Sequence, residues 1–84
     1  MNRRKLLQKL SQGDFRNVLF ADIVSLVTGF GFTLKRTKGS HHIFAHPDIP
    51  EMINLQEVAG EAKPYQIRQF LRLIEKYNIK LEDT

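Results

Sequence analysis

Cysteine is absent from the 84 residues of this sequence, so disulfides and thiolate-ligated metal sites are excluded. The sequence also lacks any run approaching the roughly 18 apolar residues that a membrane-spanning helix needs. Charged residues stand near the N-terminus, but Gln8 and Lys9 interrupt the leucines that follow, which excludes the apolar core of a signal peptide. The chain is therefore expected to be a soluble cytoplasmic protein without membrane contact.

The overall composition is that of one small globular domain with a basic surface. Hydrophobic residues make up 42% and charged residues 26% of the chain, and both values are ordinary for a folded protein. There are 13 lysines and arginines against 9 acids, which gives a net charge of +4. Such a surface attracts polyanions, although many small basic proteins bind no nucleic acid. We expect a single domain over residues 1–84.

Two segments in the first third of the chain have apolar spacing typical of amphipathic helices. Leucines recur at this spacing over residues 3–11, and this basic segment is interpreted as an N-terminal extension to about residue 16, before a core of about 17–80. The leucine stripe either packs across the domain or contacts a second copy or another protein, and the sequence leaves these alternatives open. The second helix is predicted over about 19–28, with Asn17 as its N-cap.

Three strand-like stretches and a further helix follow. Alternation of polar and apolar side chains predicts strands over residues 32–37, 41–46 and 51–56. Residues 47–50 are predicted as a loop, since they contain two prolines, and a second loop is predicted around 59–61. The clearest helix opens at Lys63-Pro64, because proline suits the first helical position, and it carries one apolar stripe.

These elements predict an α+β fold of the double-stranded-RNA-binding-like class. The predicted order is α-β-β-β-α with an extra short N-terminal helix, a three-stranded antiparallel sheet and two helices on one sheet face. The other sheet face is left open for a partner. The fold alone does not decide the function.

The segment after the basic turn carries a family resemblance. The run Lys38-Gly39-Ser40-His41-His42-Ile43-Phe44 resembles the HicA (YcfA-like) family of toxins, and the resemblance covers roughly residues 17–80. It implies an α-β-β-β-α fold, endonuclease action on messenger RNA, a histidine as the main catalytic residue and neutralisation by a HicB-type antitoxin. No cofactor is expected.

The residue types in this turn are suited to cutting RNA without a metal. A histidine can remove the proton from the 2′-hydroxyl of the substrate, because an ordinary histidine is largely neutral at pH 7. Cations and hydrogen-bond donors must then stabilise the charge on the phosphate. The residues expected to contact RNA in this way are Lys35, Arg36, Lys38, Gly39, Ser40 and, at the start of the last helix, Lys63.

Strand alternation separates the two adjacent histidines. Phe44 is the expected core residue of the second strand, so His42 shares its inward face, while His41 and Ile43 point to the open face. His41 is therefore the preferred catalytic residue, which the family motif also supports. His42 is the second choice, because a twist or a bulge at the strand end would exchange the two.

Two other functions stay open at this point. The same basic face could serve a non-catalytic RNA-binding module, and a plain protein-interaction domain, including a homodimer, is a third hypothesis. A metal site is not expected, because His42 and His46 would stand about 13 Å apart along the strand and His41 points away from His42.

Overall fold

The computed structural model describes residues 1–82, which form an α+β fold of three helices and four strands. The elements are α1 (Arg3–Ser11), α2 (Phe20–Gly29), β1 (Thr33–Lys38), β2 (His41–His46), β3 (Ile49–Val58), β4 (Glu61–Ala62) and α3 (Pro64–Lys76). The predicted α-β-β-β-α order and the extra N-terminal helix are confirmed. No helix in the described part of the chain is long and apolar enough to cross a membrane.

The sheet is antiparallel, with its strands in the order β1-β2-β3-β4. Phe44 of β2 lies opposite Leu34 of β1 and Ile53 of β3. The register shifts between Leu34 and Arg36 in β1 and again between Phe44 and His46 in β2. Because β1 forms an edge of the sheet, all six of its residues are exposed, Leu34 included.

Two predicted loops are confirmed as turns but are shorter than expected. Strand β3 begins at Ile49, which pairs with His46, so the loop predicted over 47–50 is shorter than expected. Pro50 lies within the register shift between β2 and β3, an irregularity of the kind that tolerates proline. The loop predicted around 59–61 is a turn over residues 59–60, followed by β4, a two-residue strand that pairs with the end of β3.

The start of α2 also differs from the prediction, since the N-cap is Leu19 and not Asn17. Asn17 has a φ of 55°, in the left-handed region. The chain approaches the helix alongside β4, where the N–H of Ala62 donates to the carbonyl of Val18 at 3.0 Å and the N–H of Phe20 donates to the carbonyl of Gly60 at 2.8 Å. A backbone carbonyl therefore satisfies a donor that a capping side chain was expected to satisfy.

The helices cover one face of the sheet and enclose a core of aliphatic side chains with a cluster of phenylalanines. The ring of Phe70 packs against Phe30 and Phe32 at centroid distances of 5.4 and 5.9 Å. Leu6 and Leu10 of α1 are 2% and 1% exposed and belong to the same core. At these two positions the leucine stripe therefore packs across the domain, which decides between the alternatives that the sequence left open.

A buried polar side chain connects α3 to the sheet. Gln66 is 1% exposed, and its Oε1 accepts the N–H of Gln56 in β3 at 2.6 Å. Its Nε2 donates to the hydroxyl of the neighbouring Tyr65 at 3.3 Å. Gln66 thereby continues the hydrogen bonding of β3 beyond the short strand β4 and fixes the first turn of α3 against the strand.

Replacing Gln66 by leucine should destabilise the protein although the leucine fits an apolar site. The change leaves the N–H of Gln56 without its acceptor, and an unpaired buried donor costs about 1–3 kcal/mol of unfolding free energy. Gln69→Leu, on the exposed face of the same helix, is the control and should change the free energy by less than about 0.5 kcal/mol. Urea unfolding of both variants measures the difference, and equal stabilities would contradict the role given to Gln66.

Gly31, at the exit of α2, is expected to tolerate no side chain. Its φ is +94°, and a Cβ would lie 2.9 Å from Nε2 of His46. That imidazole is held in place, because its Nδ1 accepts the N–H of Asp48 at 3.0 Å and its ring packs 5.1 Å from Phe32. Gly31→Ala should therefore suffer both backbone strain and a clash, together about 2–5 kcal/mol.

Gly60 provides the matched control for this prediction. Its φ is +79°, but no heavy atom lies within 4 Å of where its Cβ would stand. Gly60→Ala should therefore show the backbone strain alone, about 1–2 kcal/mol. Chemical denaturation compares the two variants. Equal losses of stability in the two variants would mean that the His46 ring moves away from the new Cβ without a loss of unfolding free energy.

Candidate functional site

In the turn between β1 and β2, Gly39 is accessible and Ser40 is hydrogen-bonded to the sheet. Gly39 has a φ of +58°, and no heavy atom lies within 4 Å of the position that a Cβ would take. The carbonyl of Ser40 accepts the N–H of Glu57 in β3 at 3.1 Å. The backbone at Gly39 is therefore accessible to a ligand, while Ser40 is held against the sheet.

His41 is exposed at the start of β2 and lies on the sheet face that the helices leave open. It is opposite Lys38 of β1 on one side and Gln56 of β3 on the other, and cross-strand partners project from the same face. Its Nδ1 lies 3.2 Å from Oδ1 and 3.1 Å from Nδ2 of Asn54, which stands two residues before Gln56 in β3. The imidazole is thus accessible to solvent and held by an amide side chain.

His42 has a different environment on the opposite face. It is half-buried, and its ring packs against Phe20 of α2 with a centroid distance of 4.7 Å. Its Nδ1 lies 3.0 Å from the carbonyl of Ser40, to which it donates when protonated there. The predicted orientation of the two histidines is confirmed, since Phe44 is buried and His42 shares its face.

The basic residues of β1 stand along the edge next to this histidine. Arg36 is opposite Ile43, which is itself opposite Asn54, so Arg36 and His41 project from the same face of the sheet. Lys35 occupies the register shift and has no cross-strand partner. All of these basic side chains, Lys38 included, are exposed. The open face therefore carries positive charge beside an accessible imidazole.

Lys63 reaches the same region from the other side of β3. It is the N-cap of α3, and the following turn of that helix holds Gln66 against Gln56, the residue opposite His41. Glu57, the next residue of β3, is exposed and adds one negative charge here. The structure therefore places Lys63 near the strand pair that carries His41, in a less positive surrounding than the β1 edge.

The carboxyls whose pKa departs from the ordinary value lie outside this face. The Tyr77 hydroxyl, 2.6 Å from Oε1 of Glu51, is the main cause that lowers the pKa of that carboxyl. For Asp14 the main cause of a lowered pKa is the backbone N–H of Arg16. Within residues 1–82 no three histidine or carboxylate side chains converge as a metal site would require.

Sequence reasoning did not connect Asn54 with His41. Alternation along β3 indicated that Asn54 points outward, but its contact depends on the register between β2 and β3, which the sequence does not give. Gln66 was also missed, because a glutamine inside an apolar helix stripe gives no signal of what it will bind. The available signal for Asn54 was its polarity between the apolar positions 53 and 55.

Comparison with known proteins identifies the family to which this chain belongs. The family model described as HicA toxin of bacterial toxin-antitoxin matches residues 20–75, which is two-thirds of the chain. The match begins at α2 and includes the β1–β2 turn, both histidines, Asn54 and nearly all of α3. Searches of curated proteins and of solved structures gave no match. The chain belongs to the HicA toxin family of bacterial toxin–antitoxin systems.

Proposed function

We propose that this toxin is a metal-independent endoribonuclease that cleaves messenger RNA, with His41 as the general base. The observation that carries the proposal is the position of His41, which is exposed on the open sheet face, held by Asn54 and opposite Lys38. A base, an orienting group and a cation are the parts that a transesterification of RNA requires.

The reaction uses the 2′-hydroxyl of the RNA as its nucleophile. When Nδ1 of His41 carries the proton and donates to Oδ1 of Asn54, Nε2 remains free to accept the proton of that hydroxyl. The 2′ oxygen attacks the adjacent phosphorus, and the bond from phosphorus to the 5′ oxygen breaks. The products are a 2′,3′-cyclic phosphate and a 5′-hydroxyl, whose proton is supplied by solvent.

The phosphate is stabilised by groups on either side of the base. Arg36 and Lys38 supply positive charge from β1, and the backbone at Gly39 permits close approach of the RNA chain. The roles of Lys35, Ser40 and Lys63 are more peripheral. Lys35 stands in the register shift, Ser40 is fixed through its carbonyl, and Lys63 lies across β3.

His42 is the less suitable base of the two histidines. Its ring is against Phe20, and one ring nitrogen is within hydrogen-bond distance of the Ser40 carbonyl. A substrate on the open face would have to pass through the sheet to reach it. We assign His42 the role of fixing the turn that presents His41.

The partner of this toxin is proposed to be a HicB-type antitoxin protein in the cytoplasm. The open sheet face offers exposed cations and an exposed imidazole, so a partner that covers it with acidic side chains would block the RNA site. This partner assignment rests on family membership.

A non-catalytic RNA-binding module is the second candidate function. The exposed cations along β1 favour it, because phosphate contacts alone suffice for RNA affinity. This candidate predicts salt-sensitive binding of RNA without the formation of shorter products, even after prolonged incubation.

The His41→Ala variant should lose RNA cleavage in the presence of EDTA. Removal of a general base lowers the rate by about 10²–10⁴-fold, and the fold should persist because His41 is exposed. Gel analysis of RNA products measures the effect, and circular dichroism checks the fold. An RNA with 2′-deoxy sugars should resist the wild-type protein, because it lacks the nucleophile.

The companion variant His42→Ala distinguishes between the two histidines. Undiminished cleavage by His41→Ala together with inactive, folded His42→Ala would move the base by one residue. Normal cleavage by both variants would refute the mechanism. Absence of cleavage by the wild type with retained RNA binding would favour the binding module.

Asn54 is proposed as a positioning residue for His41. Asn54→Ala should lower kcat by roughly 10-fold with little change in KM, because the ring loses its orienting bond while the cations that bind phosphate remain. The pH–rate profile should shift as well, which a purely structural defect would not cause. Met52→Ala, an exposed change on the same strand, is the control, and equal losses in both variants would refute the assignment.

A further inference from the structure

The net positive charge of this protein is located outside the family-matched core. Residues 1–16 contain five basic side chains (Arg3, Arg4, Lys5, Lys9 and Arg16) and one acid, Asp14. Residues 17–84 contain eight basic and eight acidic side chains and are therefore neutral in sum. The whole excess of +4 is carried by α1 and the loop after it. The mechanism proposed above uses none of these charges.

The apolar side of α1 is already occupied, which restricts what its basic side can do. Leu6 and Leu10 are buried in the core, so the helix cannot insert an apolar face into a lipid surface. Arg3 is fixed on α2, where its Nε donates to the hydroxyl of Ser25 at 3.1 Å. In the loop that follows the helix, by contrast, the Arg16 side chain is available to a ligand.

A shallow groove lies where this loop meets the first turns of α3. Its volume is about 410 Å³, and its lining includes Gly13, Phe15, Arg16, Pro64 and Arg68. The guanidinium of Arg68 stacks on the Phe15 ring, 5.1 Å from the centroid. The Arg16 side chain is 86% exposed. Two guanidinium groups and an aromatic ring therefore line one groove, as in sites that follow a nucleic acid backbone.

One carboxylate opposes these charges only in part. Asp14 lies 3.4 Å from Nε of Arg16 and 3.7 Å from Nζ of Lys9, and Lys9 also donates to the carbonyl of Arg16. Two cations share one anion here, and Arg68 adds a third positive charge. The groove remains positive, and Asp14 orients Arg16 by contacting a single edge of its guanidinium.

The first turns of α3 connect the groove in sequence to the strand that lies opposite His41. Arg68 and Pro64 line the groove, and Lys63 is the N-cap immediately before Pro64. Within the same turn, Gln66 binds the N–H of Gln56, the residue opposite His41. The groove and the strand pair that carries the imidazole are therefore linked through the first turn of α3.

We infer that the groove formed by Arg16, Phe15 and Arg68 is an RNA subsite that holds the substrate chain at a distance from the cleaved bond. The inference rests on the proposed ribonuclease function and extends it, because it assigns a path to the RNA. The N-terminal segment adds phosphate affinity to that of the β1 cations, within a core whose charges cancel in sum. The cleavage chemistry itself does not depend on this groove.

A binding experiment with matched variants tests the inference. Arg16→Gln combined with Arg68→Gln removes two charges from the groove, and Arg72→Gln combined with Lys80→Gln removes two exposed charges elsewhere. The probe is a fully 2′-O-methylated RNA of about 12 nucleotides, within the usual range of single-strand sites and resistant to cleavage. Fluorescence anisotropy measures its Kd over a series of salt concentrations.

The groove variant should bind this RNA more weakly and with a smaller salt dependence. Two lost phosphate contacts should reduce the slope of log K against log salt by about 1.4, since each contact on a single strand contributes about 0.7. The control pair should keep the wild-type slope.

Each contrary result has a distinct meaning. Equal reductions in both variant pairs would indicate a general charge effect and overturn the subsite, as would an unchanged slope in the groove pair. Arg16→Gln alone is the second variant if Arg68→Gln impairs folding, because the Arg16 side chain is almost fully exposed. RNA cleavage by the wild-type protein in EDTA is measured separately. The subsite proposal can therefore be refuted while the proposed ribonuclease function is supported, or the reverse.

Discussion

The burial of Phe44 between the sheet and the helices is the constraint on which the site depends. Phe44 is 2% exposed and lies opposite Ile53, which is buried as well. A shift of β2 by one residue would expose this ring and turn His41 into the core. Exposing a buried phenylalanine costs about 1.5–3 kcal/mol, so the shifted register is disfavoured even before the histidine is considered. The contact that stabilises the fold is therefore also the one that orients the imidazole.

Strand β3 connects this register to the rest of the site. Its buried residues, Ile53 and Leu55, face the helices, while Asn54 between them faces the imidazole. On the edge of β3 that faces away from β2, the N–H of Gln56 donates to the side chain of Gln66. This bond fixes the start of α3, where Lys63 is the N-cap. One strand therefore aligns the His41 imidazole, its amide partner and the helix α3. A change in β3 alters all three together.

Short sequence patterns predicted correctly the features that depend on neighbouring residues alone, namely the helices and the faces of the strands. The spacing of leucines gave α1, the Lys63-Pro64 step gave the start of α3, and strand alternation gave the opposite faces of His41 and His42. The predictions failed where a contact depends on a segment that is distant in sequence. Asn17 lost its capping role to a backbone bond from the β4 region, and the contact of Asn54 required a register that no single strand contains.

The distribution of charge explains why binding and chemistry can reside in different parts of this small protein. No acid lies between Asp22 and Asp48, so the cations of β1 act on the open face without a neighbouring counter-charge in sequence. The acids of the core stand on other elements and cancel its charge in sum, which leaves little long-range attraction for RNA. Under the proposed function, a short-range field at His41 would stabilise the transition state, whereas affinity for a long polyanion needs positive charge spread over several phosphates. The N-terminal segment, packed on the core by two buried leucines, supplies that charge without altering the sheet.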